Sequence, residues 1–240
     1  MNLLQQRTLF RTLSGRFDLV NADFTDNGAD FFINEGRKYL DRLDETQKSW
    51  ASCFRIIEVN GYSASIVTCR AIKEVWAATS SEKWQLEKKN LQDLISSHLT
   101  VLPGERTSGS PAYYSPAVTR YIPEDAEIGT FEAFLGWVDI PIGPAHEYNT
   151  ILLSIPVSEK TMLDVKGLFY SHELVNDTDT NYWSSQHPML LHMAAMRYIE
   201  INNRNTQGVR DWEGSITTDM KQLGMDLVEE LIAEVSQMGG

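Results

Sequence analysis

Five histidines, two cysteines and thirty-three carboxylates are the groups through which this chain could do chemistry. The histidines are His98, His146, His172, His187 and His192. His187 and His192 stand five apart, about 140° around a helix, so they cannot clamp one metal ion from one face. No HExxH or CxxC spacing occurs, and no GxSxG, GxGxxG or P-loop lysine motif. Glu124-Asp125, Asp139 and Asp177-Thr178-Asp179 could pair carboxylates for acid–base work, but acidic loops are ordinary in an acidic chain. Asn176-Asp177-Thr178 spells a glycosylation sequon, which means nothing without secretion. The residues predict no catalytic centre, no metal site and no cofactor.

Cys53 and Cys69 flank Asn60-Gly61, the strongest short hairpin signal available. With a two-residue loop there, Cys53 faces Thr68 and Cys69 points to the other face. A disulfide would need a bulge, so the pair predicts two free thiols in a reducing compartment. The first five residues, Met1-Asn2-Leu3-Leu4-Gln5, lack the charged and apolar regions of a signal peptide. The longest apolar run is far short of the roughly 20 residues that span a bilayer. With 42% apolar residues in 240, the chain can bury a real core. A formal net charge of −12 argues against tight binding to phosphate backbones or anionic membrane.

The elements that must position these groups follow from periodicity. Leu3–Phe17 reads as a short helix carrying Arg7, Arg11 and Arg16, either a solvated basic face or a contact with an acidic neighbour such as another copy. In Asn27–Glu45, Ala29, Phe32, Ile33, Gly36, Tyr39, Leu40 and Leu43 recur at spacings of three and four, with Asp26 or Asn27 able to cap the start. Gly36 inside that helix costs about 1 kcal/mol relative to Ala, which points to a close helix crossing. Strands are expected over Trp50–Asn60, Tyr62–Cys69, Ala71–Thr79, Lys83–Lys88, Ala112–Ile122, Thr130–Ile140, Thr150–Val157 and Met162–Tyr170. A helix is expected to start at Asn90, and Pro103–Pro111 reads as a loop. Residues 123–187 hold eleven acidic side chains against Lys160 and Lys166.

At the C-terminal end, Met189, Met193 and Met196 share a helical row after Ser184-Ser185-Gln186-His187-Pro188. Asn203–Gly208 breaks the pattern, and Val209, Trp212, Ile216, Met220, Leu223, Leu227, Leu231 and Val235 resume it. Twenty-seven residues of helix from Val209 would be roughly 40 Å long. The fold class expected is α+β. N-terminal helices and a long C-terminal helical hairpin would form a bundle (1–47 plus 181–240), with an antiparallel β-rich domain inserted at 48–180. The methionines read as helix–helix core or as a re-packable partner surface. Asp226, Glu229, Glu230 and Glu234 crowd the last helix's C-terminal turns, where its dipole favours cations. A basic partner docking there, a negatively charged passage, or surface drift would each explain the inversion.

In this order the segments resemble the head-to-tail adaptor (connector) proteins of tailed bacteriophages. Phe31-Phe32-Ile33-Asn34-Glu35-Gly36-Arg37-Lys38-Tyr39-Leu40 is similar to that family's first long helix. Arg70-Ala71-Ile72-Lys73-Glu74-Val75-Trp76 resembles its strand, and Trp84-Gln85-Leu86-Glu87 through Leu94 the short helix after it. Leu163–Tyr170 resembles its last strand, and His187–Arg204 its penultimate helix. The resemblance spans Asn27 to Gln237, and the sheet insert is larger than in the smallest adaptors. It implies a virion protein, assembled in the host cytoplasm, that forms a ring of usually twelve copies under the portal. Its partners would be itself, the portal protein and a tail or nozzle protein. Leu223, Leu227, Glu229, Glu230, Leu231, Glu234, Val235 and Met238 would then face the portal or a neighbouring subunit, and Arg7, Arg11 and Arg16 a subunit contact. Twelve times −12 is −144, so duplex DNA would pass through such a ring without being gripped. The alternatives are a tail or nozzle component below the connector and a cytosolic hydrolase built on the acidic insert.

Overall fold

The computed structural model of the protein describes residues 1–44, 50–66, 68–98, 107–120 and 146–237. In chain order its elements are α1 (Leu3–Ser14), α2 (Ala29–Leu43), β1 (Trp50–Ile57), β2 (Ser63–Ser65), β3 (Cys69–Ala78), β4 (Lys83–Lys88), α3 (Leu91–His98), β5 (Tyr113–Arg120), β6 (His146–Leu153), β7 (Thr161–Phe169), α4 (Tyr182–Gln186), α5 (Pro188–Asn202) and α6 (Thr206–Gln237). They divide into two compact units, Met1–Ser49 with Tyr170–Gly240, and Trp50–Phe169.

In the first, helical unit, local signals set the helix ends. Asn2 and Gln5 form a reciprocal capping box on α1, and Gly15 (φ 67°) closes it in the left-handed conformation that glycine adopts freely. The Asp26 carboxylate accepts from the Gly28 and Asp30 amides, each at 3.0 Å, and so fixes the entry to α2. Helix α2 then crosses α5 closely. A Cβ on Gly36 would lie 2.8 Å from the backbone nitrogen of Ala195, so only glycine permits that approach, as its mid-helix placement predicts. Leu190, Leu191, Ala194, Ala195, Met196 and Ile199 of α5 join Leu3, Phe10, Ala29, Ile33, Leu40 and Trp183 in one core. Met193 packs partly against it and Met189 is exposed, so the methionine row is only in part core.

The C-terminal helices do not form the expected long hairpin bundle. Helix α5 is 15 residues long and apolar around most of its circumference, which is the pattern of a helix enclosed by its surroundings rather than seamed to one partner. Of α6, Trp212, Ile216, Met220 and Leu223 meet the core, and Ile216 alone among its described side chains is fully buried. Periodicity marked the apolar rows correctly but carries no information on which neighbour each row meets.

The second unit is not the antiparallel insert that was expected. It is a seven-stranded mixed sheet in the order β1-β7-β3-β4-β5-β6-β2, antiparallel throughout except that β4 and β5 run parallel. The sheet curls nearly into a barrel, and its two edge strands are bridged where Arg55 Nε of β1 donates to the Ser65 carbonyl of β2 at 2.9 Å. Alternation puts Val75, Ala77, Leu86, Tyr114, Ile151, Leu153, Leu163 and Val165 inside. A turn does form at Asn60-Gly61, with Asn60 at φ 68° and Gly61 N donating to Glu58 O at 2.9 Å. Its flanking strands diverge, however: β1 pairs with β7 and β2 with β6, so no hairpin results. The expected strand Thr130–Ile140, and part of the expected loop Pro103–Pro111, lie outside the described residues.

Candidate functional site

The chemistry-bearing groups named from the sequence do not converge. Among the described residues no three His, Cys, Asp or Glu side chains gather to hold a metal ion. His172 stands 4.0 Å from Asp179, and His187 meets the Tyr182 hydroxyl at 3.2 Å. His192 is buried edge-on to Phe10, and burial alone pushes its pKa down to about 4. Cys53 and Cys69 are both free. Cys53 sits opposite Val165 rather than Thr68, because β1 took β7 as its partner. Burial pushes the Cys69 thiol up to about 11, so it is neutral and a poor nucleophile at physiological pH. Glu124, Asp125 and Asp139 lie outside the described residues, as do the side chains of His98 and His146. Asp177 and Asp179 serve the fold. Asp177 accepts from Arg7, and Asp179 accepts the Asn176 and Val175 amides, which hold its carboxyl below the usual range.

The three N-terminal arginines all have partners within their own chain. Arg7 is buried, forked onto Asp30 at 2.6 and 2.7 Å and bonded to Asp177 at 2.5 Å, and these carboxylates, Asp30 above all, hold it charged. Arg11 lies over the rings of Phe17 and Phe24 at 4.9 and 5.7 Å. Arg16 pairs with Asp18 at 2.8 Å. At the other end, Leu223 is half-buried on the core. Leu227, Glu229, Glu230, Leu231, Glu234 and Val235 follow on the described backbone of α6, but their side chains, and all of Met238, lie outside the described set.

A polar row on α2 went unseen in the sequence. Asp30, Asn34, Arg37 and Asp41 recur at intervals of four, three and four, one stripe of the helix; Asp30 holds Arg7 of α1, and the other three meet the chain that follows β7. Asn34 exchanges two bonds with the Leu174 backbone at 2.9 and 3.0 Å. Arg37 donates to the Ser171 carbonyl. Asp41 accepts from the Ser171 amide at 2.9 Å and from the Trp183 indole at 2.7 Å. The heptad-like spacing of these polar residues is the signal the sequence carries, overshadowed by the stronger apolar stripe beside it.

Two surfaces of the sheet unit remain. On the outer face, Phe54, Asp164, Trp76 and Gln85 form one cross-strand row on β1, β7, β3 and β4. Phe54 is 56% exposed and Ile56 62%, with Met162 opposite Ile56 and Trp50 farther along the same face of β1. The Trp76 ring lies 5.5 Å from both the Lys83 and Lys166 ammonium groups, while Lys83 also pairs with the buried Asp164 at 3.1 Å. The second surface is a cleft of about 640 Å³ between β3 and β5. Ala71, Ile72, Leu91, Pro116 and Ala117 wall it, with the cations of Arg70 and Lys88. No protein-family model matches the chain, and no curated protein is significantly similar to it in sequence. An apolar, aromatic outer face and a cleft with a cation at its wall suit recognition of another molecule, and the Cys69 thiol that also lines the cleft is kept neutral by burial.

Proposed function

We propose that this protein is a structural virion component, a head-to-tail adaptor that forms a ring between portal and tail and lets DNA pass without gripping it. The observation that carries the reading is the outward apolar face of the sheet. Phe54, Ile56 and Met162 lie together in the open on two adjoining strands, with Trp50 farther along the same face of β1, while alternate residues of these strands are buried among the core of the sheet. Contiguous exposed apolar side chains of that size mark surfaces that another protein covers. The charge of −12 per chain supports the second half of the reading, because a ring of such subunits repels rather than holds a phosphate backbone. The length of α6, 32 residues, supplies a second element for contact between copies or with the portal. In this reading the chain performs no catalysis and needs no cofactor, and it ends in the virion.

Mass measurement of the purified protein, alone and with portal protein, tests the proposal. A ring-sized species on portal is expected, and a chain that stays monomeric with portal present defeats it. Replacing Glu229 and Glu230 with Lys is expected to leave the fold intact and change portal affinity. Imaging of particles separates an adaptor directly beneath the portal from a tail or nozzle component farther down.

A further inference from the structure

The sheet is unzipped at one place, and the reason is written in the charges. Strands β3 and β4 pair from Ala78 with Lys83 to Val75 with Leu86. Two more steps would set Glu74 beside Glu87 and then Lys73 beside Lys88, like charges directly opposite, which disfavours pairing. Instead the register of β3 breaks between Ile72 and Glu74, and Glu87 and Lys88 pair in parallel with Tyr113 and Tyr114 of β5. A second break between Cys69 and Ala71 lays the Ala71 carbonyl over Gly167, where any Cβ would sit 2.2 Å from that oxygen. Among the described residues, Ala71–Glu74 therefore pairs on one side only, with β7, and β5 from Ser115 onward pairs only with β6. The cleft described above lies in this seam.

We propose that the seam is a binding site for an extended acidic segment of a partner protein, which adds to the edge of β3 as an extra strand. Three features select that occupant. The backbone groups of Ala71–Glu74 that point away from β7 offer an extended chain the ladder it lacks. Ile72, Leu91, Pro116 and Ala117 give apolar walls for alternate side chains, in a volume within the range of peptide and ligand pockets. Lys88 places an exposed positive charge at the cleft of a chain that is otherwise strongly acidic, so the site prefers carboxylates against the sign of the whole molecule. The inference stands whether or not the protein assembles into rings.

Fluorescence anisotropy of the full chain with a labelled peptide, Ac-Glu-Val-Glu-Val-Glu-Val-NH2, tests it. Saturable binding that weakens as salt rises is expected, with the lysine counterpart at least tenfold weaker. Lys88→Glu is expected to lower affinity at least tenfold, and because Lys88 is exposed its folding is secure. Ala117→Trp, which fills the cleft without touching charge, is expected to abolish binding. Methylating alternate peptide amides is expected to do the same, since strand addition needs those N–H groups. No saturable binding, equal binding of the lysine peptide, or indifference to methylation overturns the proposal. So does self-association of the chain that the peptide dissolves, because the occupant would then be a second copy.

Discussion

The helical unit and the sheet unit use polar chemistry in opposite ways. In the first, charged and amide side chains close on other groups of the same unit, Asp30 on the Arg7 guanidinium, Asn34 on the Leu174 backbone, and Asp41 on the Ser171 amide and the Trp183 indole. In the second, the large buried side chains are apolar, the buried Asp164 is met by the exposed Lys83, and further charge lies around Trp76 and along the seam. A buried donor or acceptor left without its partner costs more than the bond contributes when made, so the first arrangement is unforgiving of change. The second tolerates surface change and leaves groups available to other molecules. One unit is organised to hold a shape, the other to offer a surface.

That contrast can be broken most forcibly at Asp41. Asp41→Ala strands the Trp183 indole, the Ser171 amide and the nearby Arg37 charge, and is expected to lower stability by about 3–5 kcal/mol in urea unfolding. A loss under about 1 kcal/mol would show that the row is decorative. Next is His192, whose folded pKa of about 4 lies below its ordinary 6.5. Above pH 6.5 both states are neutral there. As pH falls from 6.5 towards 4 the unfolded chain takes up a proton that the folded one refuses, removing about 3 kcal/mol in total. Unfolding midpoints from pH 7 to 4.5 should therefore drop more steeply for the native protein than for His192→Gln, and equal slopes would reject the assignment. Gly36→Ala is expected to cost about 1–3 kcal/mol by forcing α2 off α5, although alanine favours the helix itself by about 1 kcal/mol; a stabilised variant would mean that the crossing is loose. The smallest effect on stability, within about 0.5 kcal/mol, belongs to Phe54→Ser with Ile56→Ser, which should nonetheless reduce assembly on portal. Unchanged assembly would remove the outer face from the contact.

Much of the local structure was legible. The periodic runs located α2, β3, β4 and the helix starting after Asn90, whose side chain accepts the Gln92 amide at 3.0 Å. Gly36 announced its crossing because a helix keeps a mid-helix glycine only for a reason. What was not legible is pairing at a distance. Asn60-Gly61 makes its turn, yet alternation in β1 is satisfied equally by β2 or by β7, which begins more than a hundred residues after β1, and the chain took β7. The apolar row of α6 was visible as well, but nothing in its spacing reveals that only Ile216 would be enclosed. Of the surfaces, the like-charged Glu74/Glu87 and Lys73/Lys88 steps were present in the sequence and became meaningful only once β3 and β4 were known to be neighbours. The outer face was hidden because Phe54 and Ile56 look like core residues until the sheet's two sides are told apart.

The polar row on α2 has a consequence for synthesis. Its Asn34 and Asp41 meet groups 130 to 142 positions later in the chain. A ribosome therefore releases this helix long before anything exists to quench its Asp41 or satisfy its Asn34. The intervening strands can collapse first, while the leading helices wait as an unsheathed, greasy pair at risk of clumping. Maturation of the nascent polypeptide should thus run from the middle outward, with the earliest-made residues among the last to settle.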